Sequence, residues 1–497
     1  MRRKTISSTI IAPVLAVICI AGCAVGPDYI RPSTNVPDSF LQARADTEDF
    51  AKGEMAVDSW WASFKDAQLA TLIEQAVVSN NDLEGALARV NQARASRREA
   101  FLDLFPTITA AGKYARTHIP TSTFAGGSFR NGNSHITNEY YSSGFDAFWE
   151  LDIFGRVRRG VEAKGAESAA SVATLQDAIR ILVSEVARTY VQLRSVQQQL
   201  SVAEQNANTQ EKVVSIAKAL FKGGQSTEFD VVRAKAQLAN THASIPRLQA
   251  QVQAFLYRLA VLCGKQPSEI EPQLAMSANI PKYQGPITIG DPAGLLQRRP
   301  DIRAAEMRLA AATASIGLVK GNLFPKVSFN GSISLQAPTV EGLTSGDNDS
   351  YSIFPTISWP AFNIGRVLAQ VDQAESAQKE ALAQYEQAVL LALEDTENAL
   401  TQFSTNKRKR DYLSESVKNS AKAVEIARLQ YENGLIDLLP VLDAQRVALL
   451  SEIELVQSEA EVASSVIAVF KALGGGWDEA VVLGTQRKIE PPNEAGI

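Results

Sequence analysis

Residues 172–225 read VATLQDAIRILVSEVARTYVQLRSVQQQLSVAEQNANTQEKVVSIAKALFKGGQ. Apolar residues recur every three or four positions, at Leu175, Ile179, Leu182, Val186, Tyr190, Leu193, Val196, Leu200 and Ala203. This spacing predicts an amphipathic α-helix with one apolar stripe. A helix from about Val157 to Lys222 would contain about 66 residues and span about 100 Å, so it cannot fit inside a compact domain.

The two glycines near the end of this stretch predict a turn and a helix that runs back. Gly adopts the left-handed conformation that ends many helices, and Ser226 or Thr227 can cap the next one. We expect the returning helix at about Glu228 to Leu262 and a shorter helix, about Asn81 to Leu104, before the long one. Because the two together are nearly as long as the long helix, the pattern predicts one long helix beside a stacked pair.

The chain contains this layout twice. A constant separation of 210 positions relates Phe221 to Tyr431, Val231 to Val441, Gly264 to Gly474 and Trp149 to Trp359. Further upstream the motif Leu104-Phe105-Pro106 recurs at Leu323-Phe324-Pro325. A repeat of this length indicates a duplicated supersecondary layout rather than a solenoid.

Each copy also contains two segments in which apolar and polar residues alternate. They predict strands at about 107–118 and 139–151 in the first copy, and at about 326–337 and 350–359 in the second. One face is apolar with aromatic ends and the other is hydrophilic, a pattern typical of outer-membrane strands. An ordinary half-buried hairpin has the same alternation, so periodicity alone leaves both interpretations open.

The N-terminus has the pattern of a lipoprotein signal. Arg2-Arg3-Lys4 and the apolar run Ile10–Ile20 form a secretory signal peptide at residues 1–22. Small residues then precede Cys23, which resembles the lipidated cysteine of bacterial lipoproteins. Ala24 follows where lipoproteins of the inner membrane commonly carry Asp, so the resemblance implies the outer membrane. A coincidental cysteine after an ordinary cleavage site is the alternative.

Composition and motifs argue against several other classes of protein. The 497 residues are 45% hydrophobic and 21% charged, as in folded proteins, and the net charge of −5 argues against a nucleic-acid partner. His118, His135 and His242 are expected to be scattered over loops and a helix, without metal-ligand spacing. No nucleophile or phosphate-binding motif is present, so we expect no enzyme, no metal and no cofactor besides a lipid on Cys23.

Four strands per chain cannot close a membrane barrel by themselves. An open sheet edge in lipid leaves backbone groups without hydrogen bonds, so several chains must share one barrel. Two chains supply eight strands, which leave an interior filled by side chains, whereas three chains supply twelve. A trimer is therefore the smallest assembly with a channel.

Several motifs resemble the lipoprotein branch of the TolC-like outer membrane factors, often called the NodT family. They are Cys23-Ala24-Val25-Gly26-Pro27-Asp28-Tyr29, Trp60-Trp61 with Phe64 and Leu69, Arg298-Arg299-Pro300-Asp301-Ile302, Val441-Leu442-Asp443-Ala444-Gln445-Arg446 and Lys471-Ala472-Leu473-Gly474-Gly475-Gly476-Trp477. The resemblance implies a mainly α-helical homotrimer with a helical barrel in the periplasm and a shared 12-stranded transmembrane β-barrel. It also implies a periplasmic adaptor and an inner-membrane transporter of the resistance-nodulation-division (RND) class as partners.

The resemblance also implies a domain layout. An anchor and equatorial segment at 23–79 precedes repeat 1 at 80–264, a linker at 265–297 precedes repeat 2 at 298–474, and an equatorial tail follows at 475–497. The hairpin tips, at 221–230 and 431–443, are expected to meet the adaptor. The contact residues implied are Phe221, Gly223, Gly224, Tyr431, Asn433, Gly434 and Asp437, and the gate candidates are Glu425, Arg428, Leu429 and Glu432.

The function implied is a passive exit duct of a tripartite efflux system, anchored in the outer membrane and extending into the periplasm. A type I secretion component is an alternative within the family. A lipid-anchored helical scaffold without a pore is an alternative from another class, and a soluble enzyme is a third.

Overall fold

The computed structural model describes residues 24–34, 36–42, 49–53, 59–120, 135–346 and 348–477. The predicted signal peptide at 1–22, the predicted lipidation site Cys23 and most of the predicted tail at 475–497 lie outside the described residues. The chain divides into two compact units. Unit 1 contains Asn91–Ala170, Ala305–Gln384 and the N-terminal residues up to Pro32, and unit 2 contains Ser33–Val90, Ser171–Ala304 and the residues from Tyr385 onward.

Helices dominate the described chain. The strands are β1 (Phe50–Lys52), β2 (Thr107–Pro120), β3 (His135–Leu151), β4 (Ile287–Ile289), β5 (Lys326–Ala337) and β6 (Asp349–Ser358). The α-helices are α1 (Ala67–Ser79), α2 (Asn81–Leu102), α3 (Arg156–Lys222), α4 (Glu228–Leu262), α5 (Pro267–Leu274), α6 (Pro292–Arg298), α7 (Pro300–Lys320), α8 (Ile364–Glu432) and α9 (Leu438–Ala472). A short 3₁₀ helix occupies Trp60–Phe64.

The duplicated layout is present in the order of these elements. The series helix, two strands, long helix, returning helix occurs as α2-β2-β3-α3-α4 and again as α7-β5-β6-α8-α9. The long helices α3 and α8 contain 67 and 69 residues, and α4 and α9 contain 35 each. The predicted fold class, mainly α-helical with a small β part and internally duplicated, is confirmed. No helix among the described residues is both long and apolar enough to cross a membrane.

The four hairpin helices end in one hydrogen-bond pattern. At the end of α3, the amide of Gln225 donates to the carbonyl of Leu220 (2.9 Å) and the amide of Gly224 donates to that of Phe221 (3.0 Å). This is the Schellman pattern, which needs a residue in the left-handed conformation. The glycines that supply it, with φ between +63° and +83°, are Gly224, Gly264, Gly434 and Gly474. The pattern explains why these glycines recur at the same separation.

Unit 1 contains a four-stranded antiparallel sheet in the order β2-β3-β5-β6. Its register places residues of similar polarity in rows across the strands. One apolar row is Ala110, Phe145, Ile333 and Tyr351, and a polar row on the other face is Thr109, Asp146, Ser332 and Ser352. Large side chains of the apolar face are exposed, among them Phe145, Ile333, Tyr351, Ile353 and Ile357. The predicted alternation therefore produces one continuous apolar face.

Two equivalent tryptophans lie at one end of this sheet. Nε1 of Trp149 donates to the carbonyl of Leu104 (2.9 Å), and Nε1 of Trp359 donates to the carbonyl of Leu323 (3.0 Å). In each copy the indole N–H group is thus bonded to the leucine carbonyl of the Leu-Phe-Pro motif. Each ring is held where its strand meets the adjoining helices.

Unit 2 has a core in which Trp60 stacks on Phe470, with ring centroids 5.5 Å apart. An ionic cluster around the buried guanidinium of Arg299 lies at the C-terminal end of α9. Arg299 binds both carboxylate oxygens of Asp301 (2.6 and 3.1 Å), Asp395 (3.2 Å) and the carbonyl of Ala472 (3.2 Å). Arg180 donates to the carbonyl of Lys471 (2.7 Å). Two arginines therefore satisfy the last carbonyls of α9, which have no partner within the helix.

Candidate functional site

The two predicted tips lie together in unit 2. A separate apolar cluster, here called the tip cluster, joins them. Its buried members are Val213, Val214, Ala234, Ala427, Tyr431, Leu438, Val441 and Leu442. The first three come from α3 and α4 and the others from α8 and α9, so the cluster fastens the first hairpin of the chain to the second.

The first tip is organised by a capping box. The Thr227 side chain accepts a hydrogen bond from the amide of Asp230 (3.4 Å), and the Asp230 carboxylate accepts one from the amide of Thr227 (3.1 Å). The hydroxyl of Ser226 also donates to Asp230 (3.0 Å). Burial acts to raise the pKa of Asp230, but these hydrogen bonds outweigh it and hold the pKa below its ordinary value. The carboxylate therefore stays ionised at the start of α4, where negative charge is favoured.

The second tip uses other side chains for the same turn. Nδ2 of Asn433 donates to the carbonyl of Leu429 (2.7 Å), which belongs to the last turn of α8. Asp437 occupies the N-cap position of α9 with extended backbone, but its side chain makes no capping hydrogen bond. The second tip is thus supported by Asn433 and by the buried Leu438 rather than by a capping box.

The predicted adaptor-contacting residues differ in exposure. Phe221 is 45% exposed, whereas its counterpart Tyr431 is 6% exposed and belongs to the tip cluster. Burial raises the pKa of the Tyr431 hydroxyl. Tyr431 therefore supports the turn from inside, and Phe221 presents its ring to solvent. Gly223, Asn433, Gly434 and Asp437 are exposed as well.

Sequence reasoning missed three other apolar residues at the tips. Phe229, Leu435 and Leu439 are 67%, 74% and 50% exposed. Phe229 lies beneath the guanidinium of Arg233, 5.5 Å from ring centroid to Cζ. The signal was present in the sequence, because apolar residues stand next to both turns at positions outside the buried stripe. With Phe221 they give the two tips four exposed apolar side chains, here called the exposed apolar surface.

The gate candidates share one face of α8. Glu425, Arg428, Leu429 and Glu432 have the spacing i, i+3, i+4 and i+7, which places them on the same side of a helix. All four are exposed. Arg428 and Glu432 form an ion pair of 3.6 Å. The face is therefore available to residues outside this chain.

The histidines are not all scattered as the sequence suggested. His118 and His135 lie on β2 and β3, and their rings stack with centroids 4.5 Å apart. The antiparallel register of the hairpin brings them together, which spacing along the sequence does not reveal. Within the described ranges, no group of three or more His, Cys, Asp or Glu side chains is placed to hold a metal ion.

The two turn glycines supply a test of the tip geometry. We expect Gly224→Ala and Gly434→Ala each to lower the free energy of unfolding by about 1–2 kcal/mol, because an L-residue is strained at positive φ. A Cβ at either position would meet no atom within 4 Å, so the backbone alone sets this loss. The measurement is guanidinium unfolding of the helical circular dichroism signal in detergent.

Gly223→Ala is the matched control. Its Cβ would make ordinary contacts of 3.6 Å and its φ is not positive, so we expect a change below about 0.5 kcal/mol. Equal losses at positions 223 and 224 would contradict the Schellman geometry of the first tip.

These features define a class of protein. The family profile described as outer membrane efflux protein matches the chain twice, over residues 72–265 and 292–475. The chain therefore belongs to the outer membrane efflux protein family, and each match covers one copy of the repeat. The resemblance to the TolC-like outer membrane factors is confirmed.

Individual relatives match over nearly the full length. Outer membrane protein OprJ of Pseudomonas aeruginosa is 30% identical over 94% of this chain and 96% of its own. Nodulation protein T of Rhizobium leguminosarum is 28% identical over 94% of this chain and 97% of its own. A solved structure of the outer-membrane channel OprN superposes with a TM-score of 0.84 at 36% identity, covering 92% of this chain and 100% of that one.

Proposed function

We propose that three copies of this chain share a 12-stranded transmembrane β-barrel and form a passive exit duct of an efflux system. The observation that carries the proposal is the sheet of unit 1, in which one continuous face is apolar and exposed. Its outer strands β2 and β6 have no partner on their second edge within the described chain. In lipid those edges need partners, which further copies of the same sheet supply.

The polar rows of the sheet then face the channel. Ser332 and Ser352 bond to each other across β5 and β6 (2.8 Å), as do Asn330 and Thr356 (3.0 Å). Neutral hydroxyl and amide groups suit a water-filled interior through which substrates of varied chemistry pass. The duct does no chemical work, so the energy for export comes from an inner-membrane transporter of the RND class.

The partners follow from the tips and the N-terminus. The exposed apolar surface of Phe221, Phe229, Leu435 and Leu439 supports docking of a periplasmic adaptor, because such surfaces mark interaction sites. A lipid on Cys23 anchors the chain to the outer membrane, and Ala24 supports that location.

Arg428 supplies the test of the gate. If polar contacts among the tips of three chains hold the duct closed, each exposed contact contributes about 0.5 kcal/mol, and three of them shift the opening equilibrium by about tenfold. We expect Arg428→Ala to raise the open probability by about this factor in planar bilayers. Stability should not change, because the pair with Glu432 is exposed.

Arg446→Ala is the matched control for Arg428→Ala. It removes the same charge and an exposed ion pair with Asp443 (2.8 Å), but from α9. We expect no change in open probability. If the channel stays closed in the Arg428 variant, Arg428 has no role in the gate. A purified protein that never conducts and is not trimeric by mass would contradict the proposal of a duct.

A further inference from the structure

The segment that directly follows Cys23 is bound to unit 1 along its whole length. The amide of Val25 donates to the carbonyl of Phe154 (3.0 Å), which lies between the end of β3 and the start of α3. Gly26, Pro27 and Asp28 continue along unit 1 to Tyr29. These residues form one of the motifs on which the family resemblance rests, yet the duct as proposed assigns them no task.

A buried arginine holds the first half of the segment. The Arg159 side chain is 6% exposed. Its guanidinium donates to the carbonyls of Val25 (3.3 Å) and Gly26 (3.4 Å) and to the carboxylate of Asp28 (2.6 Å). A buried guanidinium is strongly destabilising unless it is paired. Arg159 and the segment therefore stabilise each other.

Glycines on both sides make this close approach possible. Gly26 has a φ of +101°, and a Cβ added there would lie 2.4 Å from Cα of Gly317. A Cβ on Gly317 would lie 2.6 Å from the carbonyl oxygen of Val25, and a Cβ on Gly155 would lie 2.6 Å from Cα of Ala24. At these distances something must shift, so the path of the segment depends on three glycines from three parts of the chain.

The second half of the segment is held by one carboxylate. Glu306 on α7 accepts hydrogen bonds from the hydroxyl of Tyr29 (3.3 Å) and from the guanidinium of Arg31 (2.9 Å). The Glu306 side chain is 10% exposed. The contacts at Val25, Asp28, Tyr29 and Arg31 leave no free stretch between the two ends.

We propose that residues 24–31, with Arg159, Gly317 and Glu306, form a clamp that sets the level at which the lipid on Cys23 enters the membrane. The proposal rests on the lipid anchor and barrel of the proposed function. Ala24, which is bonded directly to Cys23 in the chain, lies beside Gly155. Gly155 follows β3, whose Trp149 lies at the end of the sheet where membrane-interface aromatic residues are found.

The length of the segment shows why fixing it matters. Eight free residues could reach about 28 Å, which is comparable to the apolar height of about 25 Å of an outer-membrane barrel. A free tether would therefore allow the acyl chains to enter at almost any depth. The clamp removes this freedom and aligns the lipid with the Trp149 and Trp359 rings, so that two membrane anchors act at one level.

The first experiment measures the clamp in detergent, independently of conduction. A spin label is attached at Ile30→Cys, a position that is 83% exposed, while Cys263 is fully buried and stays unlabelled. We expect a restricted spectrum in this parent, and a severalfold shorter rotational correlation time after Gly317→Ala or Arg159→Ala. Gly317→Ala also raises the helix propensity of α7, so general loss of the helix does not account for a mobile label.

Gly160→Ala is the matched control, because its Cβ would only make an ordinary contact of 3.6 Å with Leu318. It should leave the label restricted. A label that is equally mobile in the parent and in the Gly317 variant would overturn the clamp. The clamp would also be overturned if the label became mobile when Cys23→Ser removes the lipid, because the lipid would then be what holds the segment.

The second experiment measures the level in the membrane. For this measurement the label is moved to Ala24→Cys, because Ile30 lies near Glu306, about 20 Å along α7 from the end nearest the sheet. The labelled proteins are placed in phosphatidylethanolamine/phosphatidylglycerol vesicles, and depth is read from the relative access of oxygen and a nickel chelate. We expect one interfacial depth in the parent and in Gly160→Ala, and a shifted, broader distribution in Gly317→Ala. An unchanged depth in Gly317→Ala, despite a mobile label in detergent, would overturn the level-setting role. Failure of the duct itself would instead appear as absence of conductance, with the detergent result unaffected.

Discussion

Replacing Arg299 with alanine is expected to lower the free energy of unfolding of the helical part by about 3–5 kcal/mol, the range for breaking a buried ion pair from one side. The Arg299 side chain is 3% exposed and joins Asp301, Asp395 and the end of α9. Burial acts to raise the pKa of Asp301, but Arg299 and Arg180 outweigh it and keep the pKa below its ordinary range. Without Arg299, an ionised Asp301 and the carbonyl of Ala472 both lose a buried partner.

The measurement is guanidinium unfolding of the helical signal, with Arg298→Ala as the control. Arg298 is the preceding residue, carries the same charge and takes no part in the cluster, so we expect less than about 1 kcal/mol. The double variant Arg299→Ala/Asp301→Ala should recover part of the loss, because the unpaired carboxylate is then absent. Equal losses for Arg298→Ala and Arg299→Ala would refute the role of the cluster.

Leu438→Ala is expected to separate the two hairpins of the chain at their tips, with a loss of about 2–5 kcal/mol in local stability. Leu438 is 1% exposed and lies in the tip cluster, where truncation leaves a cavity between α8, α9 and the first hairpin. The amides near Val213, Val214 and Val441 should then exchange with deuterium faster, since opening of the tip becomes easier. In bilayers the same variant should conduct more than the unchanged protein.

The next residue supplies the control. Leu439 is 50% exposed and lies outside the tip cluster, so Leu439→Ala should leave deuterium exchange and conductance unchanged. Because Leu439 belongs to the exposed apolar surface, Leu439→Ala should instead weaken binding of the proposed adaptor. If both leucine variants increased exchange equally, the tip cluster would not be what joins the hairpins.

Local pattern was sufficient for the elements themselves. The stripe from Leu175 to Ala203 and the glycines at 223 and 224 predicted α3 and its turn to within a residue, because helix periodicity and left-handed turns depend on neighbours in sequence. The alternation in β5 and β6 likewise predicted which residues share a face, since successive strand residues point to opposite sides. The register that aligns Phe145 with Ile333 extends that face over four strands.

The site was predicted less completely. The tips and their glycines were found from the repeat, but both members of the Phe221/Tyr431 pair were expected to contact the adaptor, and Tyr431 is buried. Equivalent positions of the two copies have the same backbone geometry but different neighbours, because each hairpin packs against the other hairpin. The same reasoning missed Phe229, Leu435 and Leu439, whose exposure depends on which faces the tip cluster covers.

The sequence by itself determined the duplicated order of helices and strands, the turns between them and the apolar face of the sheet, because each depends on periodicity or on a glycine within a few residues. Only the tertiary structure decided which residues are in contact over sequence separations of 131 to 291 positions. Arg159 binds Asp28, and Arg180 donates to a carbonyl at the end of α9. Such contacts depend on where folding places distant segments, and ionic partners are too common along the chain to be paired from spacing alone.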